Sequence, residues 1–218
     1  MPARYSVAMP PDPRPLIAGT PVIPVLTIER AKDAVLLARA LVAGGLPVLE
    51  VTLRTPEALS AIAAIAREVP EAVVGAGTIT RPSDIAQAVE AGAKFLVSPG
   101  TPEALVAALA LTPVPSIPGC ATVSEAMTLA AHGFTVLKFF PAQASGGIAW
   151  LKSVAAPLPD LRFCVTGGID GTNAAAYLKT PNVIAVGGSW VAPNDAIAAG
   201  DFARITALAR EAAALRKS

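Results

Sequence analysis

The chain has 218 residues, 53% of them hydrophobic and 15% charged, with a mean hydropathy of +0.57. That is too apolar for a disordered chain and argues for a large buried core, yet no run reaches the roughly 18–20 uninterrupted apolar residues of a membrane span. The net charge of +1, with basic residues scattered along the sequence, implies neither nucleic acid nor an anionic membrane as partner.

Residues 1–15 contain five prolines and no apolar h-region, so they read as a loosely held arm and not as a signal peptide. The catalytic domain is expected over residues 16–218. Short β-like segments then recur: Val22–Leu26, Val48–Thr52, Val73–Ala76, Phe95–Val97, Val114–Ile117, Thr135–Lys138, Phe163–Val165 and Val183–Val186. Ala-rich stretches of helical period lie between them, such as 31–43, 57–68, 82–91 and 124–131, and 201–215 closes the chain. Strand–helix alternation at about two dozen residues per unit implies parallel strands with crossover helices. Eight units in about 200 residues fit an α/β, single-domain (β/α)8 TIM barrel. An open doubly wound sheet is the alternative, but it usually carries a Gly-rich loop after its first strand. Here that place reads Thr27-Ile28-Glu29-Arg30, without glycine.

Side chains alternate along a strand. In the second, Glu50, Thr52 and Arg54 share a face toward the barrel mouth, leaving Leu49, Val51 and Leu53 for the helices. In the sixth, Val136, Lys138 and Phe140 share a face, leaving Leu137 and Phe139 to pack outward. A charged amine is disfavoured by burial, and the usual use of a lysine there is as a neutral nucleophile that forms a Schiff base with a carbonyl. The plain alternative is a strand-end lysine that snorkels to water. Lys138 and Glu50 are both expected near the C-terminal ends of their strands, where active sites of this fold sit. Lys94 begins its strand, at the opposite face. Lys32, Lys152, Lys179 and Lys217 fall on helices or helix ends, where solvation is the usual reading.

Thr166-Gly167-Gly168-Ile169 follows the seventh strand and Gly187-Gly188-Ser189-Trp190 the eighth. Glycines let backbone N–H groups approach a phosphate, and barrels often bind phosphate at these two loops. His132, flanked by Gly133, reads as a helix C-terminal residue. The two cysteines, Cys120 and Cys164, make no disulfide framework, which points to the reducing cytoplasm. One histidine and two separated cysteines offer no zinc site, so no metal is expected.

Six stretches together resemble the 2-keto-3-deoxy-6-phosphogluconate (KDPG) aldolase family, class I aldolases of the Entner–Doudoroff pathway. They are Val48-Leu49-Glu50-Val51-Thr52-Leu53-Arg54-Thr55, Gly75-Ala76-Gly77-Thr78, Val97-Ser98-Pro99-Gly100, Lys138-Phe139-Phe140-Pro141-Ala142, Thr166-Gly167-Gly168-Ile169 and Gly187-Gly188-Ser189-Trp190. The resemblance runs from Pro21 to about Leu215. It implies that Lys138 is the Schiff-base lysine and Glu50 the general acid/base. It implies that Arg54 and Thr78 hold the pyruvate carboxylate, that Phe140 and Pro99 border the pocket, and that Thr166, Gly167, Gly168 and Ser189 bind the phosphate. Gly188 joins that set by its place in the second Gly-rich loop. The substrate implied is a phosphorylated keto acid, with 4-hydroxy-2-oxoglutarate as a further one, and the assembly implied is a homotrimer without cofactor. Val165 and Thr101 depart from the family's usual proline and leucine, and the N-terminal arm is longer than expected.

The alternatives are a galactonate-series aldolase, another small-barrel sugar-phosphate enzyme such as an epimerase or a thiamin-phosphate-type condensing enzyme, and a non-catalytic oligomeric barrel. The epimerase and condensing chemistries need metal ligands or a diphosphate–Mg²⁺ site that the sequence does not offer. The intact set of Glu50, Lys138 and Arg54 speaks against a scaffold, whereas the fold alone would not.

Overall fold

The computed structural model describes residues 9–215. Nine parallel strands form one sheet: β1 (Val22–Leu26), β2 (Val48–Thr52), β3 (Val73–Gly77), β4 (Leu96–Val97), β5 (Ser116–Ile117), β6 (Gly119–Cys120), β7 (Val136–Phe139), β8 (Arg162–Thr166) and β9 (Val183–Gly188). Their order is β5-β4-β3-β2-β1-β9-β8-β7-β6. Only Pro118 separates β5 from β6. Ser116 lies opposite Leu96 of β4, and Gly119 lies opposite Lys138 of β7. The two short strands are therefore halves of one stave that joins both ends of the row and closes the barrel.

This makes eight staves, as the alternation predicts; six agree with the expected bounds to within one residue at each end, and two differ by more. The fifth stave was expected over Val114–Ile117; it begins at Ser116 and runs through Pro118 to Cys120. Proline cannot donate to a ladder, so a run that meets one reads as a strand end. Its carbonyl still serves, accepting from the Lys138 N–H at 2.8 Å. The last strand extends past Val186 to include Gly187 and Gly188. Glycine is a poor strand former, and here the bare backbone is needed: a Cβ at Gly187 would collide with the Thr166 hydroxyl, and one at Gly188 with the Trp190 ring.

The helices are α1 (Arg14–Ile17), α2 (Ala34–Ala43), α3 (Ala58–Glu68), α4 (Pro82–Glu90), α5 (Glu103–Ala110), α6 (Val123–Ala131), α7 (Gly147–Ala155), α8 (Ala174–Leu178), α9 (Asn194–Ala199) and α10 (Phe202–Ala213). The stretch expected to start a helix at Ala31 opens with a 3-10 turn over Ala31–Asp33. Several starts are fixed by capping. Thr122 Oγ1 accepts from the Glu125 N–H while the Glu125 carboxylate accepts from the Ala121 and Thr122 N–H groups, the reciprocal box that satisfies orphan donors. At α4 the Asp84 carboxylate accepts from the N–H groups of Thr80 and Arg81, each at 3.0 Å. His132 ends α6, its Nδ1 2.9 Å from the Thr128 carbonyl.

Strand alternation sorts the core into two layers. Leu49, Val51, Leu137 and Phe139 belong to the layer between sheet and helices. Phe139 stacks on Trp150 of α7 with ring centroids 4.2 Å apart, and Trp150 meets Phe163 edge-on. Ile23, Val48, Phe95, Val97, Ile117, Val136, Cys164 and Ala185 fill the barrel interior, joined by Ile17 of α1. Residues Met9 and Pro10 lie against the bare backbone of Gly133. Lys32, Lys94, Lys152 and Lys179 are exposed; Lys217 and residues 1–8 of the arm lie outside the described residues. No helix among the described residues is long and apolar enough to cross a membrane.

Candidate active site

Glu50, in the middle of β2, and Lys138, in β7, meet inside the barrel. Lys138 Nζ donates to Glu50 Oε1 at 3.0 Å, and each side chain is 5% exposed. Removing one partner of so buried a pair typically costs about 3–5 kcal/mol, so neither group is idle packing. The Lys138 amine also lies 5.5 Å from the centre of the Phe140 ring, within cation–π range.

The room for this pair comes from β3. Its inward positions are Val73, Gly75 and Gly77. A Cβ at Gly75 would sit 2.5 Å from the Phe95 ring, and one at Gly77 would lie 2.6 Å from Glu50 Cγ and 2.7 Å from its Cδ, overlapping Oε1 as well. Two missing side chains thus make space for one aromatic ring and one carboxylate. Cys164 of β8 lies beside Lys138 in register. Burial first, and then the Glu50 charge, push its thiol up to about 12, with Lys138 partly opposing. The thiol therefore stays protonated at neutral pH and supplies no thiolate. Cys120 is likewise pushed up to about 12, by burial and then by Glu125.

Toward the mouth, Arg54 Nε donates to Thr78 Oγ1 at 3.2 Å. Thr78 holds φ at +61°, in the left-handed region that a β-branched residue avoids. Such a conformation costs on the order of 1–3 kcal/mol and marks a place where geometry is imposed. Here it sets the hydroxyl under the guanidinium. A cavity of about 590 Å³ opens beside it, walled by Arg54, Phe140, Thr166, Gly167, Gly168, Gly188 and Ser189 among others. Gly167 and Gly168 have φ of +102° and +77°. Their N–H groups donate to no protein acceptor among the described residues, which leaves them for an anion.

Eleven residues were expected at the site, and seven of them line this cavity. Glu50 and Lys138 lie deeper on the same strand faces as Arg54 and Phe140, and Thr78 reaches the site through Arg54. Pro99 does not line this cavity; it is half-buried, with its backbone packed against Gly119, which lies opposite Lys138 in register. Three residues escaped the sequence reading. Gly77 had a signal in its alternation with Gly75, and Cys164 in its place on the face of Thr166. Thr27, which also lines the cavity, comes just past the end of β1 and continues the inward alternation of Ile23 and Val25.

Residues 16–208 match the family model for aldolases described as KDPG and KHG aldolase. The chain is 52% identical over 197 residues to the KHG/KDPG aldolase of Escherichia coli (strain K12), spanning 90% of this chain and 92% of that one. It is similar to the crystal structure of KDPG aldolase from Legionella pneumophila with pyruvate captured at low pH as a covalent carbinolamine intermediate. That likeness has a TM-score of 0.89 at 44% identity over 92% of this chain and 97% of the other. It is equally similar to the 2-keto-3-deoxy-6-phosphogluconate aldolase of Zymomonas mobilis ZM4 with 3-phosphoglycerate, with a TM-score of 0.89 at 47% identity over 95% and 97% of the two chains.

Proposed function

The chain belongs to the KDPG and KHG aldolase family, and on that premise we propose that it cleaves 2-keto-3-deoxy-6-phosphogluconate to pyruvate and glyceraldehyde 3-phosphate through a Schiff base on Lys138. The observation that carries this reading is the 3.0 Å contact between the Lys138 amine and the Glu50 carboxylate inside the barrel. Within that hydrogen bond a proton can pass from ammonium to carboxylate. The result is a neutral amine and a carboxylic acid side by side, the nucleophile that captures the carbonyl and an acid that speeds the loss of water.

The amine adds to C2 of the substrate to give a carbinolamine. Glu50 protonates the departing hydroxyl, and water leaves as the iminium forms. The iminium is an electron sink. Glu50, again a carboxylate, takes the C4 hydroxyl proton through a water, the C3–C4 bond breaks, and its electron pair moves into the enamine as the aldehyde departs. Glu50 returns a proton to C3. Water then attacks C2, and pyruvate leaves with Lys138 restored. Arg54, steadied by Thr78, can pair with the C1 carboxylate in a fork geometry. The free N–H groups of Gly167 and Gly168, together with Gly188 and Ser189, suit the phosphate at the other end of the cavity.

4-Hydroxy-2-oxoglutarate shares the reacting atoms C1 to C4 and is a second substrate in this reading. Residence in the cytoplasm is supported by the free, buried Cys120 and Cys164. Assembly as a homotrimer rests on the family resemblance alone.

Borohydride with pyruvate tests the proposal: it should inactivate the enzyme and leave a stable adduct on the peptide containing Lys138. Lys138→Arg should abolish pyruvate release, because arginine stays protonated and cannot act as the amine. A label on Lys94 or Lys152, or an active Lys138→Arg variant, overturns the assignment.

A further inference from the structure

The inward face of β1 ends in a hydroxyl that the chemistry above does not use. Ile23 belongs to the barrel interior, and Val25 and Thr27 face the cavity. Val22 and Leu26, at the alternate positions, pack outward against the helices. The register that sets Val25 beside Glu50 brings Thr27 beside Thr52, and their hydroxyl oxygens are 3.2 Å apart. Thr52 is fully buried, and its hydroxyl donates to the Leu26 carbonyl at 2.9 Å. A hydroxyl has one proton to give. With the Thr52 proton committed to Leu26, the contact between the two threonines is Thr27 donating to Thr52. Thr27 thus has its own proton engaged and presents a lone pair to the cavity, an acceptor held in direction by a chain of two hydrogen bonds.

Its place in the cavity indicates what it accepts from. β1 lies between β2, which leads into the turn that carries Arg54, and β9, which ends at Gly188. The groups proposed for the two anionic ends of the substrate therefore flank Thr27, and those groups are donors. An acceptor between them suits a neutral hydroxyl. Asp195, another acceptor on the cavity wall, is engaged by Arg204 at 2.7 Å. We propose that Thr27 is a specificity-determining residue that accepts a hydrogen bond from the substrate hydroxyl on C5, the carbon between the cleaved bond and the phosphate-bearing carbon. In the condensation direction this is the α-hydroxyl of the aldehyde. The inference rests on the aldolase reading above and deepens it.

Thr27→Val keeps the shape and removes the acceptor, while the bond from Thr52 to Leu26 stays intact. The test compares two aldehydes in condensation with pyruvate: glyceraldehyde 3-phosphate and 3-phosphooxypropanal, which has the same length and phosphate but no α-hydroxyl. Loss of one neutral hydrogen bond should lower kcat/KM for the first by about 3- to 10-fold and leave the second within about twofold. Thr27→Ser should restore the preference. Equal losses with both aldehydes, or no change with either, overturn the role of Thr27 while leaving the aldolase reading in place. Failure of the unaltered enzyme to condense pyruvate with glyceraldehyde 3-phosphate overturns that reading and this inference with it.

Discussion

Replacing Gly77 by alanine puts a methyl group inside the Glu50 side chain. The new carbon would stand 2.6 Å from Cγ and 2.7 Å from Cδ, where unstrained non-bonded carbons prefer about 3.5–4.0 Å. The carboxylate must retreat by roughly 1 Å, and the barrel interior around it is filled. The bond to Lys138 is 3.0 Å long. A retreat of that size along it passes about 3.6 Å, where a hydrogen bond is lost. A 1 Å misplacement of a reacting group can cost about 10²-fold in rate, and overpacking a core costs about 1–3 kcal/mol. For a chain of this size each kcal/mol lowers Tm by about 2–4 °C. Gly77→Ala should therefore cut kcat for pyruvate release from KDPG by about 10²-fold or more and lower Tm by roughly 2–12 °C. Gly100→Ala is the stability control, because a Cβ there meets nothing within 4 Å. A Gly77→Ala variant with kcat within about threefold of the parent would refute the reasoning, since the steric argument leaves no small answer.

Three further outcomes are expected. Removing the 6-phosphate from the substrate should lower kcat/KM clearly, because Gly167 and Gly168 line the cavity and their N–H groups donate to no protein acceptor among the described residues; equal values for the two substrates would refute the phosphate site. Glu50→Gln should still form the pyruvate adduct on Lys138 but turn over about 10²–10⁴-fold more slowly, read by borohydride trapping beside steady-state rates. Asp84 tests the fold instead of the chemistry. Burial pushes its carboxyl up, but the N–H groups of Thr80 and Arg81, the Thr80 hydroxyl and the Arg81 charge together bring it below its ordinary value. A depressed carboxyl stabilises the fold above its unfolded pKa of about 3.9 and loses that contribution as pH falls through the folded value. Asp84→Asn should thus lose about 1 kcal/mol at pH 7, with the Tm gap to the parent closing below about pH 4.

The barrel was legible because two signals agree. Strand-like runs about two dozen residues apart give the count of staves, and alternation within β2 and β7 gives the side each residue faces. Leu49, Val51, Leu137 and Phe139 all pack outward as that alternation requires. The fifth stave was misjudged where Pro118 removes a donor, because propensity registers the lost N–H and not the carbonyl that Lys138 uses. The short helix α1 carried little signal. Four residues show no helical period, and Ile17 is held by the barrel interior it plugs, a tertiary cause that local sequence does not display.

At the site, charged residues announced themselves and small ones did not. Lys138 and Glu50 stood out because a charge in an apolar strand has to be explained, and a separation of 88 residues became a contact once the barrel was assumed. Gly77 works through the atoms it lacks. Its role appears only when Glu50 is seen to occupy the volume of the absent side chain. Thr27 is harder still, since threonine suits any strand end. What makes it informative is the direction of a proton: the Leu26 carbonyl can only accept, so Thr52 must give, and Thr27 must give to Thr52. Residue type states which groups a cavity can contain. Which of them is left as an acceptor follows from the hydrogen bonds behind the wall, and those exist only after β1 and β2 have found their register.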